Sequence, residues 1–123
     1  MKEKFVRSHQ RLEAWNVSMD LVTELYRAVA KFPKYEQYGL SSQIRRAAVS
    51  VPANIAEGAA RESAKEYLRF LTISRGSLSE LETELLIAKR LEYIEGESKV
   101  FELLDKSSYL LNGLMKYIRS LIS

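Results

Sequence analysis

Arg46, Ser50, Asn54 and Glu57 follow one another at steps of four, four and three, and Ser77, Glu80 and Glu84 at steps of three and four. These are helical spacings, so each set shares one face of a helix. A guanidinium facing carboxylates can form ion pairs, and Asn54 can bond to backbone carbonyls. Glu57, Glu80 and Glu84 together offer oxygen ligands of the kind that suits magnesium. The serines would need a general base to act as nucleophiles. The chain's one histidine is His9, near the N-terminus and far in sequence from both sets. There is no cysteine, so there is no thiolate ligand or thiol nucleophile. No glutamate–x–x–histidine pair of the di-iron bundles is present. The five glycines form neither a phosphate loop nor a dinucleotide fingerprint. No catalytic, cofactor-binding or metal-ligating residue is therefore assigned. The row Arg46, Ser50, Asn54, Glu57, Ser77, Glu80 and Glu84 is read as structural or interfacial. Three readings stay open: pairing within the chain, a solvated face whose ion pairs contribute about 0–1 kcal/mol each, or a contact between protomers.

The elements that carry this row are helices. The first pattern runs from about Leu12 to Phe32, with Trp15, Met19, Val22, Tyr26 and Val29 as its expected core stripe and Pro33 as its stop. This expectation buries Trp15 and Tyr26. "PKYEQYG" follows as a loop, where Tyr35 and Tyr38 either cover a helix end or stack on bases. The second pattern runs from about Leu40 to Ala59, with Leu40, Ile44, Ala47, Val51 and Ile55 inward. The third opens on Ser63 and Glu66 as a reciprocal capping box and reaches Leu91 or Glu92, with Leu68, Leu71, Leu78, Leu81, Leu85 and Ala88 inward. "YIEGES" breaks it, with Gly96 as the expected left-handed residue. The fourth has a heptad seam of Val100, Leu104, Ser107, Leu111, Leu114, Ile118 and Leu121. Four amphipathic helices with short connections predict an all-α, antiparallel up-down-up-down four-helix bundle over residues 12–123.

Pro52 sits inside the second pattern, whose apolar phase does not shift there. The helix is expected to continue through it with a bend, losing one amide donor at a cost of roughly 3 kcal/mol. Asn54 is the candidate to satisfy the carbonyls freed. The small residues around Pro52, with Gly76 and Ser77 in the third helix, predict close packing of small against small. An interior glycine costs about 1 kcal/mol relative to alanine, so Gly76 needs a reason.

Charge is unevenly placed. The tail, residues 1–11, holds Lys2, Lys4, Arg7 and Arg11 against Glu3. Setting those four bases and one acid against the chain's 19 and 16 leaves 15 of each from Leu12 onward. The tail and, on the bundle, Arg45 and Arg46 are the candidate nucleic-acid contacts. Arg61, Lys65, Arg69 and Arg75 form a strip diluted by Glu57, Glu62 and Glu66. No apolar run approaches 18 residues and no apolar signal core opens the chain, so no membrane partner and a cytoplasmic location are expected.

"QIRRAAVSVPANIAEG" followed by "RGSLSELETEL" resembles the four-helix-bundle family encoded in 23S rRNA intervening sequences, often labelled ribosomal protein. The resemblance begins at Leu12 and Trp15, continues through Phe32, Pro33, Glu36, Leu40 and Gln43, and ends in the fourth helix. Ala53 departs from a common serine and Glu84 from a frequent neutral amide. The resemblance implies an antiparallel bundle that assembles with itself, in known relatives as a pentameric ring. It also implies kinship with the accessory protein of diversity-generating retroelements, a basic ring that binds nucleic acid and a reverse transcriptase.

The expected function is that of a non-enzymatic homo-oligomer that associates with RNA or DNA or acts as a scaffold. The alternative is an adaptor that docks a partner protein without binding nucleic acid. Extra apolar positions support self-association: Phe70, Ile73 and Ile87 on the third helix, and Leu103, Leu110 and Tyr117 on the fourth. A helix that is apolar on two sides needs two partners.

Overall fold

The computed structural model describes His9 and residues 12–122. Four helices account for most of the described residues: α1 (Glu13–Val29), α2 (Leu40–Ala59), α3 (Ala64–Arg90) and α4 (Lys99–Ser120). At 27 residues α3 is the longest. Among the described residues there is no strand. Each helix packs on two neighbours, α1 with α2 and α4, and α3 with α2 and α4. The fold is an all-α four-helix bundle. The α2–α3 contact is the most extensive. Along it Ser77 meets Ser50, Ser74 meets Val51, and Tyr67 lies against Gly58. Numbers rise on one helix as they fall on the other, so this pair is antiparallel.

The core is mostly aliphatic, with Phe32 as its buried aromatic. Ile44, Ala47, Ala48, Val51 and Ile55 supply it from α2, and Leu71, Leu78, Leu81, Leu85 and Ala88 from α3. α2 passes through Pro52 as one uninterrupted 20-residue helix, and Pro52 itself is buried. Ser63 caps α3 by accepting the amide of Glu66 at 3.1 Å.

Four expectations are corrected. On α1 the buried face is Ala14, Val17, Ser18, Leu21, Leu25 and Val29. Trp15 and Val22 are half-buried, and Met19 and Tyr26 are exposed. The large side chains drew the expected stripe, but the smaller ones beside them face the core. On α4, Met115 takes the buried position expected for Leu114, and Leu121 is exposed. A straight helix turns every 3.6 residues and drifts off a strict seven-residue repeat. The left-handed residue after α3 is Glu92, at φ 63°, and no described glycine has positive φ. Here Tyr93 N–H donates to Ala88 O at 2.9 Å and Glu92 N–H to Lys89 O at 3.0 Å. This is the paired hydrogen bonding of a Schellman stop, which usually takes glycine.

The fourth correction concerns the small residues. The close approach of α2 to α3 is at Gly58, where a Cβ would lie 2.9 Å from Tyr67 Cδ1 and 3.0 Å from Phe70 Cβ. Gly76 takes no part: among the described residues no neighbouring element lies within 4 Å of where its Cβ would stand.

Candidate functional site

Two grooves flank the outer ridge of α2, and Arg46 lines both. The first, between α2 and α3, encloses about 300 Å³ and is lined by Gln43, Arg46, Ala47, Ser50, Ser77 and Glu80. Its floor is a hydroxyl network. Ser77 Oγ donates to Ser50 Oγ at 2.8 Å, and Asn54 Nδ2 donates to Ser50 O at 2.8 Å and Ser50 Oγ at 3.0 Å. Asn54 therefore serves the carbonyl of Ser50. The carbonyl that loses its donor to Pro52 is that of Ala48, four residues before the proline, so the expected rescue by Asn54 does not form.

Ser74, absent from the expected polar row, makes the deepest polar contact between the two helices. Its Oγ donates to Val51 O at 2.8 Å in the buried interior. The signal was available: Ser74 stands three residues after Leu71 and four before Leu78, on the core stripe of α3.

Glu84 is 5% exposed, and its Oε1 has no hydrogen-bond partner among the described residues. Burial first, then a hydrogen bond with Glu80 and that residue's charge, push its carboxyl up to about 7. A protonated carboxyl presents one acceptor and one donor, as an amide does. The burial of Glu84 thus suits a position where a neutral amide is frequent in the resembled family.

Arg46 and Glu80 line one groove without pairing. The ion pairs among the described residues are Arg27–Glu24 and Arg61–Glu57, at 2.8 and 2.9 Å. Of the three readings of the row, pairing of Arg46 with a glutamate is not seen among the described residues, and Glu57 is held by Arg61. Glu57, Glu80 and Glu84 do not converge, and no group of three acidic or histidine side chains among the described residues could hold a metal ion.

The second groove, between α1 and α2, encloses about 470 Å³ and is lined by Tyr26, Ser42, Arg45, Arg46, Val49 and Ser50. It has two guanidiniums and no carboxylate. Tyr26 is 45% exposed and Val49 43%. Arg45 is steadied by donating from Nη2 to Gln37 O at 3.2 Å. Sequence reasoning singled out both arginines but placed Tyr26 in the core. The tail residues Lys2, Lys4, Arg7 and Arg11 lie outside the described residues. Tyr35 is tied down through its hydroxyl, 3.0 Å from that of Tyr93, and Tyr93 donates to Glu36 Oε2 at 3.0 Å. Hydrogen bonding to Tyr35, followed by burial and the Glu36 carboxylate, pushes the Tyr93 phenol up. Glu36 Oε1 meanwhile accepts the Leu40 amide at the start of α2. These groups fasten the loops at one end of the bundle.

The architecture is shared with a solved protein of unknown function from the S23 ribosomal protein family of Bacteroides thetaiotaomicron. The two are 22% identical, with a TM-score of 0.63 over 89% of this chain and 98% of that one. No curated protein matches the chain. No helix among the described residues is long and apolar enough to cross a membrane. The profile of the 23S rRNA-intervening sequence proteins matches residues 10–115. It spans all of α1, α2 and α3 and most of α4, so the chain belongs to the 23S rRNA-intervening sequence protein family.

Proposed function

We propose that the protein is a non-enzymatic, self-assembling scaffold that gathers several copies of its basic tail against nucleic acid. The observation that carries the proposal is apolar surface left open on two neighbouring sides of the bundle: Met19, Tyr26 and Val49 on the α1–α2 side, and Ile73 and Ile87 on α3. Side chains of this size in open stripes are what an assembling helix leaves for a partner. The polar groups that chemistry would need are engaged otherwise. The serine hydroxyls of the α2–α3 groove bond one another and Asn54, and Glu84 is buried beside a second carboxyl.

Association with nucleic acid rests on the sequence. The bundle is neutral from Leu12 onward, so attraction would come from Lys2, Lys4, Arg7 and Arg11. One tail binds weakly. Several tails on one assembly raise the effective concentration of each, and each phosphate contact steepens the dependence on salt. The test is filter binding of single-stranded RNA across a salt series, comparing the native chain with one in which those four residues are alanine. Salt-sensitive binding by the native chain alone is expected. Equal binding by both moves the contact to Arg45 and Arg46, and no binding by either favours the protein-docking adaptor.

A further inference from the structure

The α2–α3 groove holds hydrogen-bonding capacity that the chain itself does not use. Ser50 Oγ accepts from Ser77 Oγ at 2.8 Å and from Asn54 Nδ2 at 3.0 Å. A hydroxyl has two lone pairs and one proton, so the acceptor side of Ser50 is full and its donor side is left over. No acceptor among the described residues takes that proton. Arg46, one turn before Ser50, lines the same groove. Its guanidinium makes no ion pair or hydrogen bond among the described residues. Gln43, a further turn back, adds a side-chain amide. The α2 wall is therefore a row of donors, and a guanidinium fork beside a hydroxyl is the complement of a carboxylate.

The opposite wall works against a simple anion. Glu80 of α3 lines it and forms no ion pair among the described residues. One turn on, Glu84 is buried, is hydrogen-bonded to Glu80 and leaves its Oε1 without a partner among the described residues. A bare carboxylate bound to Arg46 would face these acids. A ligand that also carries an ammonium group turns Glu80 into a partner. The two charges must stand close together, because the walls converge to the Ser77–Ser50 hydrogen bond at the floor. The volume of about 300 Å³ is small for a ligand site, and Ala47 supplies a little apolar wall.

We infer that the α2–α3 groove binds a small zwitterion of the α-amino acid type, its carboxylate held by Arg46 and the Ser50 hydroxyl and its ammonium group by Glu80. Every group named belongs to one copy of the chain. The site therefore stands or falls separately from the self-assembly proposed above.

Saturation-transfer NMR tests this, since it reads weak binding to a protein of any assembled size. Three probes separate the two ends of the ligand: L-alanine carries both charges, acetate the carboxylate alone and ethylamine the ammonium group alone. At millimolar concentration and neutral pH the native chain should transfer saturation to L-alanine and far less to the other two. Arg46→Gln and Glu80→Gln should each weaken L-alanine binding by roughly 10- to 100-fold, the worth of a hydrogen bond to a charged group. Both residues are exposed, so circular dichroism should match the native chain. Arg45→Gln, which changes the α1–α2 groove and not this one, should bind L-alanine as the native chain does. No transfer to L-alanine overturns the inference. Acetate bound as strongly as L-alanine also overturns it, by making the groove a site for anions. Arg46→Gln and Glu80→Gln chains that bind like the native one place the ligand elsewhere and overturn it too.

Discussion

Ser74 Oγ donates to the carbonyl oxygen of Val51 at 2.8 Å, joining α3 to the backbone of α2 one residue before Pro52. The side chain is fully buried, so its hydroxyl has no water to return to. This bond, the Ser77–Ser50 bond above it and the close approach at Gly58 fix the register of the most extensive contact in the bundle.

Ser74→Ala should destabilise the fold by about 1 kcal/mol, the net value of a buried neutral hydrogen bond. Urea denaturation checks this. No loss of stability would mean that the bond is incidental to the pairing of α2 with α3.

Ser107 is the opposite case. It is 1% exposed on α4 and its Oγ has no hydrogen-bond partner among the described residues. A buried hydroxyl without a hydrogen bond costs free energy. Ser107→Ala should therefore stabilise the fold, by roughly 0.5–1 kcal/mol, and the same denaturation series reads it.

Glu92 ends α3 in the left-handed region at φ 63°, where an L side chain costs about 1 kcal/mol. Glu92→Gly should raise the melting temperature, corresponding to a gain of about 0.5–1 kcal/mol. A lower melting temperature would mean that the glutamate side chain supports the turn in some other way.

Stability should fall as pH rises from about 4.5 to about 7. Glu84 has its ordinary value near 4.5 when unfolded and about 7 when folded, through burial first and Glu80 second. Between these values the folded chain holds a proton that the unfolded chain has released. Folding takes up a proton in this window, and raising pH disfavours it, by roughly 1–3 kcal/mol in total. Glu84→Gln should flatten this part of the profile and make the chain more stable than the native one at pH 8. Denaturation at pH 5 and pH 8 gives both numbers.

Much of this molecule can be read along the chain. The span of α2 and the inward faces of α2 and α3 follow from apolar spacing, because each of those helices has one dominant stripe, and the Ser63 cap follows from the serine three residues before Glu66. α1 could not be phased the same way. It carries two apolar stripes side by side, and the one with the larger residues, Met19 and Tyr26, is the one left exposed. That error hid the aromatic wall beside Arg45 and Arg46. The unfavourable position of Gly76 was visible in the sequence. Its direction was not, since only the packing of α2 on α3 shows that it points away from both. The helix stop at Glu92 was missed because it depends on where Ala88 is anchored in the core, and Gly96 lies beyond that point.

The central claim is that the chain works as an assembly. Light scattering after size exclusion, on the native chain at micromolar concentration, tests it most directly. The account predicts one species whose mass is several times 14.1 kDa. A single species at 14.1 kDa, unchanged on concentration, would contradict it.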